Sequence, residues 1–504
     1  MKHEGNAIEI SDASPAAHGV IFLSIATAAA LLGGYVFHVV AARWLPAAEY
    51  GSFVVVLSII TWAENLQGAA LSGPAKAVSE DHRRIYAALR LSVKWFLPSG
   101  VTAGILLLVA APFIASGLGD RALTTLLVLA AVEIPLTAVL RLTARFSKAM
   151  RCYAVSSAVY SVYSLGRTVL GCSLIVLGLG AFGGIAGQVA ATAVAAGLGV
   201  FLLLRAIRGL DKVEYPQMLT RSASWAGYSF VYAVAMSTLI TMDMWCVKGL
   251  IPNAAQAGFY GAAFALARTP KFLIQPVTGA VFPRVSQALT QNRCDLAADV
   301  TKQSFRILFI VLVPLCVLVG ESATEIINFL FSDRYSSAGS PLIILMAALS
   351  VYAFFQLLMS LTSAADRPGL RMAFSLVLVP IGLVLNFLLI PIHGIIGAAQ
   401  ATLITMSIGV LVTFRFVLRC TGAKIPGWTV FRCAISGMLV YGAASLWSAY
   451  DWMLIPKLAI MGMIYIAVLF IIGELGKKEI QSVAGAIPGQ AGYYLSRLAE
   501  RHLR

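Results

Sequence analysis

Apolar runs long enough to cross a bilayer recur about fourteen times along this chain, and that recurrence leaves few folds open. In hydrocarbon every backbone N–H and C=O must be bonded within the protein, so a spanning segment is either a helix or a strand of a closed barrel. These runs are roughly twice as long as a barrel strand needs and match the ~20 residues of a helical crossing. The expected fold is therefore an all-α polytopic membrane protein. Its helices are predicted near 18–42, 50–73, 91–116, 122–144, 153–179, 183–207, 222–247, 257–282, 304–331, 339–364, 371–393, 395–418, 430–449 and 455–475. Composition agrees, with 59% apolar and 12% charged residues in 504. No connection is long enough to be a soluble domain.

A net charge of +15 raises the question of nucleic acid. Its distribution answers it. With an inner N-terminus and fourteen crossings, 29 of the 37 Lys and Arg residues fall in inner segments. The outer segments hold Arg43, Arg121, Lys248, Arg334 and Lys457, while Arg167, Arg268 and Lys271 remain within helices. This asymmetry is the positive-inside rule, and it predicts inner N- and C-termini. Residues 1–17 are polar, and the following run is too long for a signal-peptide core, so the first helix is expected to be uncleaved. The seven cysteines have no metal-ligand or disulfide-framework spacing, and there is no phosphate-binding glycine loop and no Ser/His/Asp set. No cofactor, metal or catalytic residue is predicted. Trp44, Tyr50, Trp245, Trp428, Trp447 and Trp452 lie at helix ends and read as an interfacial aromatic belt.

The segment Gly258–Ser286 is unusual because it carries Arg268 and Lys271 near its middle. A charge at the bilayer centre costs about 2.5 to 3.5 kcal/mol on insertion scales, so such residues turn to a protein interior or a watery cavity. Arg268, Lys271 and Gln275 are spaced i, i+3 and i+7 and share a helical face, and Pro270 and Pro276 predict a kink. The segment also has an earlier counterpart. Glu49-Tyr50-Gly51-Ser52-Phe53 is followed 207 residues later by Gln256-Ala257-Gly258-Phe259-Tyr260, and Val78-Ser79-Glu80 by Val285-Ser286-Gln287 at the same offset. In that register Lys271 falls on Glu64, an ionisable residue of opposite sign. The chain thus reads as two related six-helix bundles, 18–207 and 222–420, joined by a polar inner connection, 208–221. Two extra helices over 421–476 and an amphipathic inner tail, 477–504, follow.

The first hairpin, with Arg43, Leu45 and Pro46 ahead of Glu49-Tyr50-Gly51-Ser52-Phe53, resembles that of the polysaccharide transporters. These belong to the multidrug/oligosaccharidyl-lipid/polysaccharide (MOP) flippase superfamily. Asp243, Lys248, Ala257-Gly258-Phe259-Tyr260 and Phe282-Pro283-Arg284-Val285-Ser286 resemble the seventh and eighth helices of that family. The resemblance implies a flippase, not an enzyme, that moves a polyprenyl-pyrophosphate-linked oligosaccharide across a bacterial inner membrane. Exopolysaccharide, capsule or O-antigen synthesis would follow, with a polysaccharide polymerase and export machinery as partners.

On that reading Arg268 and Lys271 engage the diphosphate through charge-assisted hydrogen bonds, with Arg167 and Gln275 as further substrate contacts. A buried ion pair with Glu64 or Glu133 explains the two cations as well. Arg167 alternatively pairs with Glu133 on the neighbouring helix. Glu64, Glu133 and Asp243 are candidates for carrying a proton or cation, or for neutralising the cations, and Asp243 is placed near the outer interface. Pro135 is expected to open a backbone carbonyl beside Glu133. Gln188, Gln356, Asn386 and Gln400 read as interhelical hydrogen bonds. Another cargo, a drug or a peptidoglycan precursor, fits the same scaffold. A membrane polysaccharide polymerase would need a large outer loop, which is absent from the sequence.

Overall fold

The computed structural model describes residues 30–208, 218–449 and 451–475. The N-terminal segment 1–17, most of the 208–221 connection and the tail 477–504 lie outside the described residues. Among the described residues there are helices and no strands. The first is α1, residues 30–44. It is followed by α2 (Ala47–Ala70), α3 (Ser72–Glu80), α4 (Ile85–Leu91), α5 (Leu97–Gly117) and α6 (Leu123–Ala149). Next come α7 (Tyr153–Leu174), α8 (Gly180–Ile207), α9 (Met218–Leu250), α10 (Ala254–Ala267), α11 (Thr269–Thr290) and α12 (Cys294–Glu321). The last are α13 (Ala323–Phe331), α14 (Gly339–Ala364), α15 (Pro368–His393), α16 (Ile395–Thr421), α17 (Gly427–Ser445) and α18 (Leu454–Ile471).

Ten stretches of the described residues are long and apolar enough to cross a membrane. One of them, Tyr153–Ile207, is 55 residues long, far beyond a single crossing. It holds two helices, and the chain reverses between them where Gly178 and Gly180 adopt φ of 90° and 59°, a region closed to most side chains. The stretches expected at 257–282 and 304–331 are each divided. The first breaks at Arg268, with Pro270 in the opening turn of α11, where its missing N–H is tolerated. The second breaks at Ser322 between α12 and α13.

The chain forms two compact units of packing, Met1–Ala265 with Pro368–Thr405, and Leu266–Arg367 with Met406–Arg504. These differ from the sequence-related halves because α9 packs along both α2 and α15. In the first unit the α2–α9 seam carries two tryptophan hydrogen bonds: Trp62 donates to Thr238 at 3.0 Å and Trp245 to Ser58 at 2.8 Å. Trp245 is thus a seam residue, and Tyr50 is fully buried with its hydroxyl 3.1 Å from His38 Nδ1. Both are bonded within the protein, whereas Trp44, Trp428 and Trp452 are exposed.

In the second unit the core is built from Ile274, Val281 and Val285 of α11, Phe305 and Leu308 of α12, and Leu357, Leu358 and Leu361 of α14. Helices α17 and α18 pack on α12. Lys457 of α18, read from sequence as an outer-loop charge, is 0% exposed. It pairs with Glu321 at 3.0 Å and Glu325 at 3.3 Å across the α12–α13 break. Removing the lysine leaves two carboxylates facing each other with no counter-charge, a loss of about 3 to 5 kcal/mol for breaking a buried pair. Lys457→Met is expected to lower the thermal unfolding midpoint of the detergent-solubilised protein. Adding Glu321→Gln and Glu325→Gln to it should restore most of that loss.

Candidate functional site

Mid-membrane polar groups of the first unit gather on α2, α6, α7 and α8. Pro135 deprives α6 of the N–H that would bond the Ala131 carbonyl, and the helix runs on through it without a break. The next carbonyl but one upstream of Leu136, that of Ile134, accepts from Gln67 Nε2 at 2.8 Å, and Thr137 donates to Gln67 Oε1 at 3.0 Å. One turn further along each helix Glu64 is bound by Arg141 at 2.6 Å, and Tyr163 donates to its other oxygen at 3.3 Å. Arg145 comes up beside Arg141 over Gly68, where the absence of a side chain leaves room for both guanidiniums.

Glu133 is 0% exposed. Its Oε1 accepts from Gln188 Nε2 at 2.9 Å and from Thr192 at 3.2 Å, while Oε2 has no hydrogen-bond partner among the described residues. Arg167 does not pair with it. The guanidinium lies instead over the rings of Phe37 and Tyr163, 5.3 and 5.7 Å from their centres, a cation–π arrangement.

Asp243 is not at a wet interface; it is 1% exposed. Tyr260 of α10 donates to it at 2.6 Å and Thr402 of α16 at 3.2 Å, and the Met244 N–H caps its other oxygen at 2.8 Å. These bonds stand in for the water that burial removes.

At the end of the first unit assigned by charge to the outer face, the two related motifs meet. A Cβ placed on Gly51 would lie 2.7 Å from the backbone N of Gly258 and 3.0 Å from Ala257 Cβ, and one on Gly258 would collide with the Ala47 carbonyl. Two helix backbones therefore approach closely here, with only the Ala257 methyl beside them. Near this contact is a cavity of about 620 Å³ lined by residues that include Glu49, Ser52, Asp120 and Lys248. Lys248 of α9 pairs with Asp120 at 2.8 Å and donates to Ser52 at 3.0 Å, and Ser52 donates to Asp120 at 2.5 Å. Glu49 accepts from the Ala181 N–H at 2.7 Å, in the first turn of α8, where a carboxylate complements the helix dipole.

Asp120 lies in the α5–α6 loop, outside the spans. Burial works to raise its pKa, but hydrogen bonds from Lys248, Ser52 and the Ala122 N–H, with the charge of Lys248, hold it below the ordinary value of 3.8. A depressed carboxylate contributes stability above its unfolded value and loses it as pH falls through the folded one. Asp120→Asn is accordingly expected to unfold earlier than the wild type at neutral pH. In paired melting curves the difference should vanish only as pH drops below 3.8.

The second unit holds Arg268, Lys271 and Gln275. Arg268 occupies the interruption between α10 and α11, its guanidinium 6.0 Å from the Phe272 ring centre, and its carbonyl accepts from the Lys271 N–H at 3.1 Å. Gln275 is exposed, and the two cations are half-buried. Ile274, Val281, Val285 and Ala288 turn to the core, so the polar stripe lies to one side of it.

Sequence reasoning missed Arg141, which it counted among inner-face charges, and Tyr163. The available signal was the position of Arg141 inside an apolar run, at a depth comparable to that of Glu64. It also missed Arg371, stacked 3.6 Å from the Tyr232 ring centre.

Comparison with known proteins sets these residues in a family. The Haloferax volcanii protein described as probable low-salt glycan biosynthesis flippase Agl15 is 22% identical over 44% of this chain and 46% of its own length. The probable flippase AglR of the same organism is 25% identical over 39% of this chain and 42% of its own. The chain thus spans less than half the length of these curated relatives. In fold it is similar to lipid II flippase MurJ in an inward closed conformation, with a TM-score of 0.73 and 14% identity over 90% of this chain and 98% of that one. It is also similar to an inward-facing multidrug resistance MATE family transporter of the MOP superfamily, with a TM-score of 0.63 and 12% identity over 80% and 98%. Residues 16–289, more than half of the sequence, match the polysaccharide biosynthesis protein family, and the chain is a member of that family.

Proposed function

We propose that this protein is a flippase that carries a polyprenyl-pyrophosphate-linked oligosaccharide from the inner to the outer leaflet of a cytoplasmic membrane, by alternating access. The resemblance read from sequence makes that membrane bacterial and its product an exopolysaccharide, capsule or O-antigen; the curated relatives are archaeal. The observation that carries the reading is the direct backbone contact between two motifs 207 residues apart, Gly51 against Gly258, at one end of a unit whose interior holds ionised residues. A duplicated helical scaffold that closes on itself at one end and keeps charge at membrane depth suits a transport path.

Arg268 and Lys271 engage the diphosphate, replacing the water that it loses on leaving the interface. Arg167 and Gln275 contact the same substrate more weakly. Glu64 belongs to an ion pair with Arg141, so its role is to hold α2 to α6 until the charge balance changes. Glu133 and Asp243, both buried, carry the proton or cation that couples the cycle. No step breaks or forms a covalent bond. The lipid-linked glycan, the surrounding lipids and a downstream polymerase with its export machinery are the partners.

The likeness in fold to both a lipid II flippase and a multidrug transporter favours, as second reading, another cargo on the same scaffold. One experiment separates the two. In cells lacking the chain, lipid-linked oligosaccharide is scored by leaflet with a membrane-impermeant glycan-modifying reagent. Accumulation in the inner leaflet, relieved by the wild-type chain, supports the glycan flippase. Accumulation in the outer leaflet points to a blocked polymerase step, and no accumulation directs attention to drug or peptidoglycan-precursor export.

A further inference from the structure

A second charged corner stands apart from the residues assigned above to the cargo and to coupling. It lies in the second unit where α12, α17 and the end of α18 meet, around a cavity of about 320 Å³ lined by Lys302, Arg306, Trp428, Arg432 and Glu474. Three cations and one carboxylate line it. Glu474, just past α18, accepts from Arg306 Nε at 2.6 Å, from Thr429 at 2.7 Å and from Arg432 at 3.1 Å. Arg306 also donates to the Glu474 carbonyl, and Arg432 to that of Gly473 at 3.1 Å. The carboxylate therefore works as a bracket that fixes two guanidiniums on neighbouring helices, while the lining keeps an excess of two positive charges. Burial opposes ionisation of Glu474, but the hydrogen bonds from Thr429, Arg306 and Arg432 outweigh it and hold its pKa below the ordinary 4.5. The bracket persists at neutral pH.

The rim is apolar. Trp428 is 74% exposed and meets Phe431 edge-on at 5.9 Å, and Ile425 is exposed beside them. A tryptophan at a helix end beside fixed cations is the arrangement expected where headgroup and acyl region adjoin. We propose that this corner binds a phosphate-bearing anion, the headgroup of an anionic membrane lipid, with Arg306, Arg432 and Lys302 on the phosphate and Trp428 against the glycerol and upper chain. Two guanidiniums fixed in advance lose little freedom on binding, and planar donors suit phosphate oxygens. The lipid is a resident of the α12–α17–α18 corner and is distinct from the transported cargo, so the test reads binding and leaves the transport reading aside.

The full chain is placed in phosphatidylcholine nanodiscs with a rising share of phosphatidylglycerol, and retained lipid is counted by native mass spectrometry. A parallel arm adds inorganic phosphate alone. Phosphatidylglycerol should be retained over phosphatidylcholine. Lys302→Gln, at an exposed position, should weaken retention about fivefold, the effect of one charge near a surface. Arg432→Gln should weaken it by a similar factor, since it removes one of the two guanidiniums that Glu474 holds in place for the phosphate. Adding Trp428→Ala to Lys302→Gln should weaken it further. Protection by inorganic phosphate without any lipid preference would overturn the lipid source and assign the corner to a soluble phosphate. Equal retention of the two lipids, or no response to either charge variant, overturns the site altogether.

Discussion

Cells whose only copy of the chain carries Arg268→Gln and Lys271→Gln together are expected to lose glycan translocation while making normal amounts of membrane-inserted protein. A hydrogen bond to a charged group contributes about 1.5 to 3 kcal/mol. Each cation accordingly accounts for a factor of about ten to a hundred, and the pair for more than either. The structure indicates why stability should be spared. The stripe of Arg268, Lys271 and Gln275 lies beside, not within, the apolar side of α11 that packs on α12 and α14. Glutamine keeps a polar side chain at each position and removes the charge. Lys271→Arg should retain much of the activity, because a guanidinium can still meet the diphosphate. The measurement is the inner-to-outer ratio of lipid-linked oligosaccharide, with purified protein checked for monodispersity. Undiminished translocation by the double glutamine variant would falsify the assignment of these two residues to the cargo.

Gly258→Val is expected to trap the protein with its outer side open. The first carbon of any side chain at Gly258 collides with the Ala47 carbonyl, and the opposing surface is backbone that cannot rotate away. Overpacking of this kind costs about 1 to 3 kcal/mol. The penalty falls only on conformations in which α2 and α10 touch, so it shifts the closed-to-open equilibrium by roughly 5- to 150-fold. Ser52, buried at the same end, offers the readout. As a cysteine it should resist an impermeant thiol reagent in the native background and react readily beside Gly258→Val. Gly51→Ala should act in the same direction and more weakly, because its nearest atoms are farther away. An unchanged labelling rate would mean that this contact is packing and not a closure.

Much of the helical scaffold was legible because hydropathy is nearly sufficient for it. The run at 339–364 is a helix over the same residues, and Pro270 announced the interruption at Arg268, whereas α11 runs on through Pro276. The pairing of charges was far less legible. A charge count along the chain assigns each cation to a side of the membrane, so Arg141 went to the inner face and Lys457 to an outer loop. In space the first binds Glu64 at membrane depth and the second is enclosed by Glu321 and Glu325. Side-chain reach of several ångströms and the length of α6 decide these partners, and neither is written in local sequence. Asp243 shows the same limit: its enclosure depends on Tyr260 of the next helix and on Thr402, 159 residues along the chain. The duplicated motif was readable as similarity, whereas its self-contact required coordinates.

A contact between equivalent residues of two copies takes the form of an isologous interface, in which each side meets the other identically. The contact of Gly51 with Gly258 lacks that symmetry, because Gly51 faces Gly258 and Ala257 while Gly258 faces Ala47. The same substitution on the two sides therefore meets different atoms, and the two glycines can be altered independently of each other.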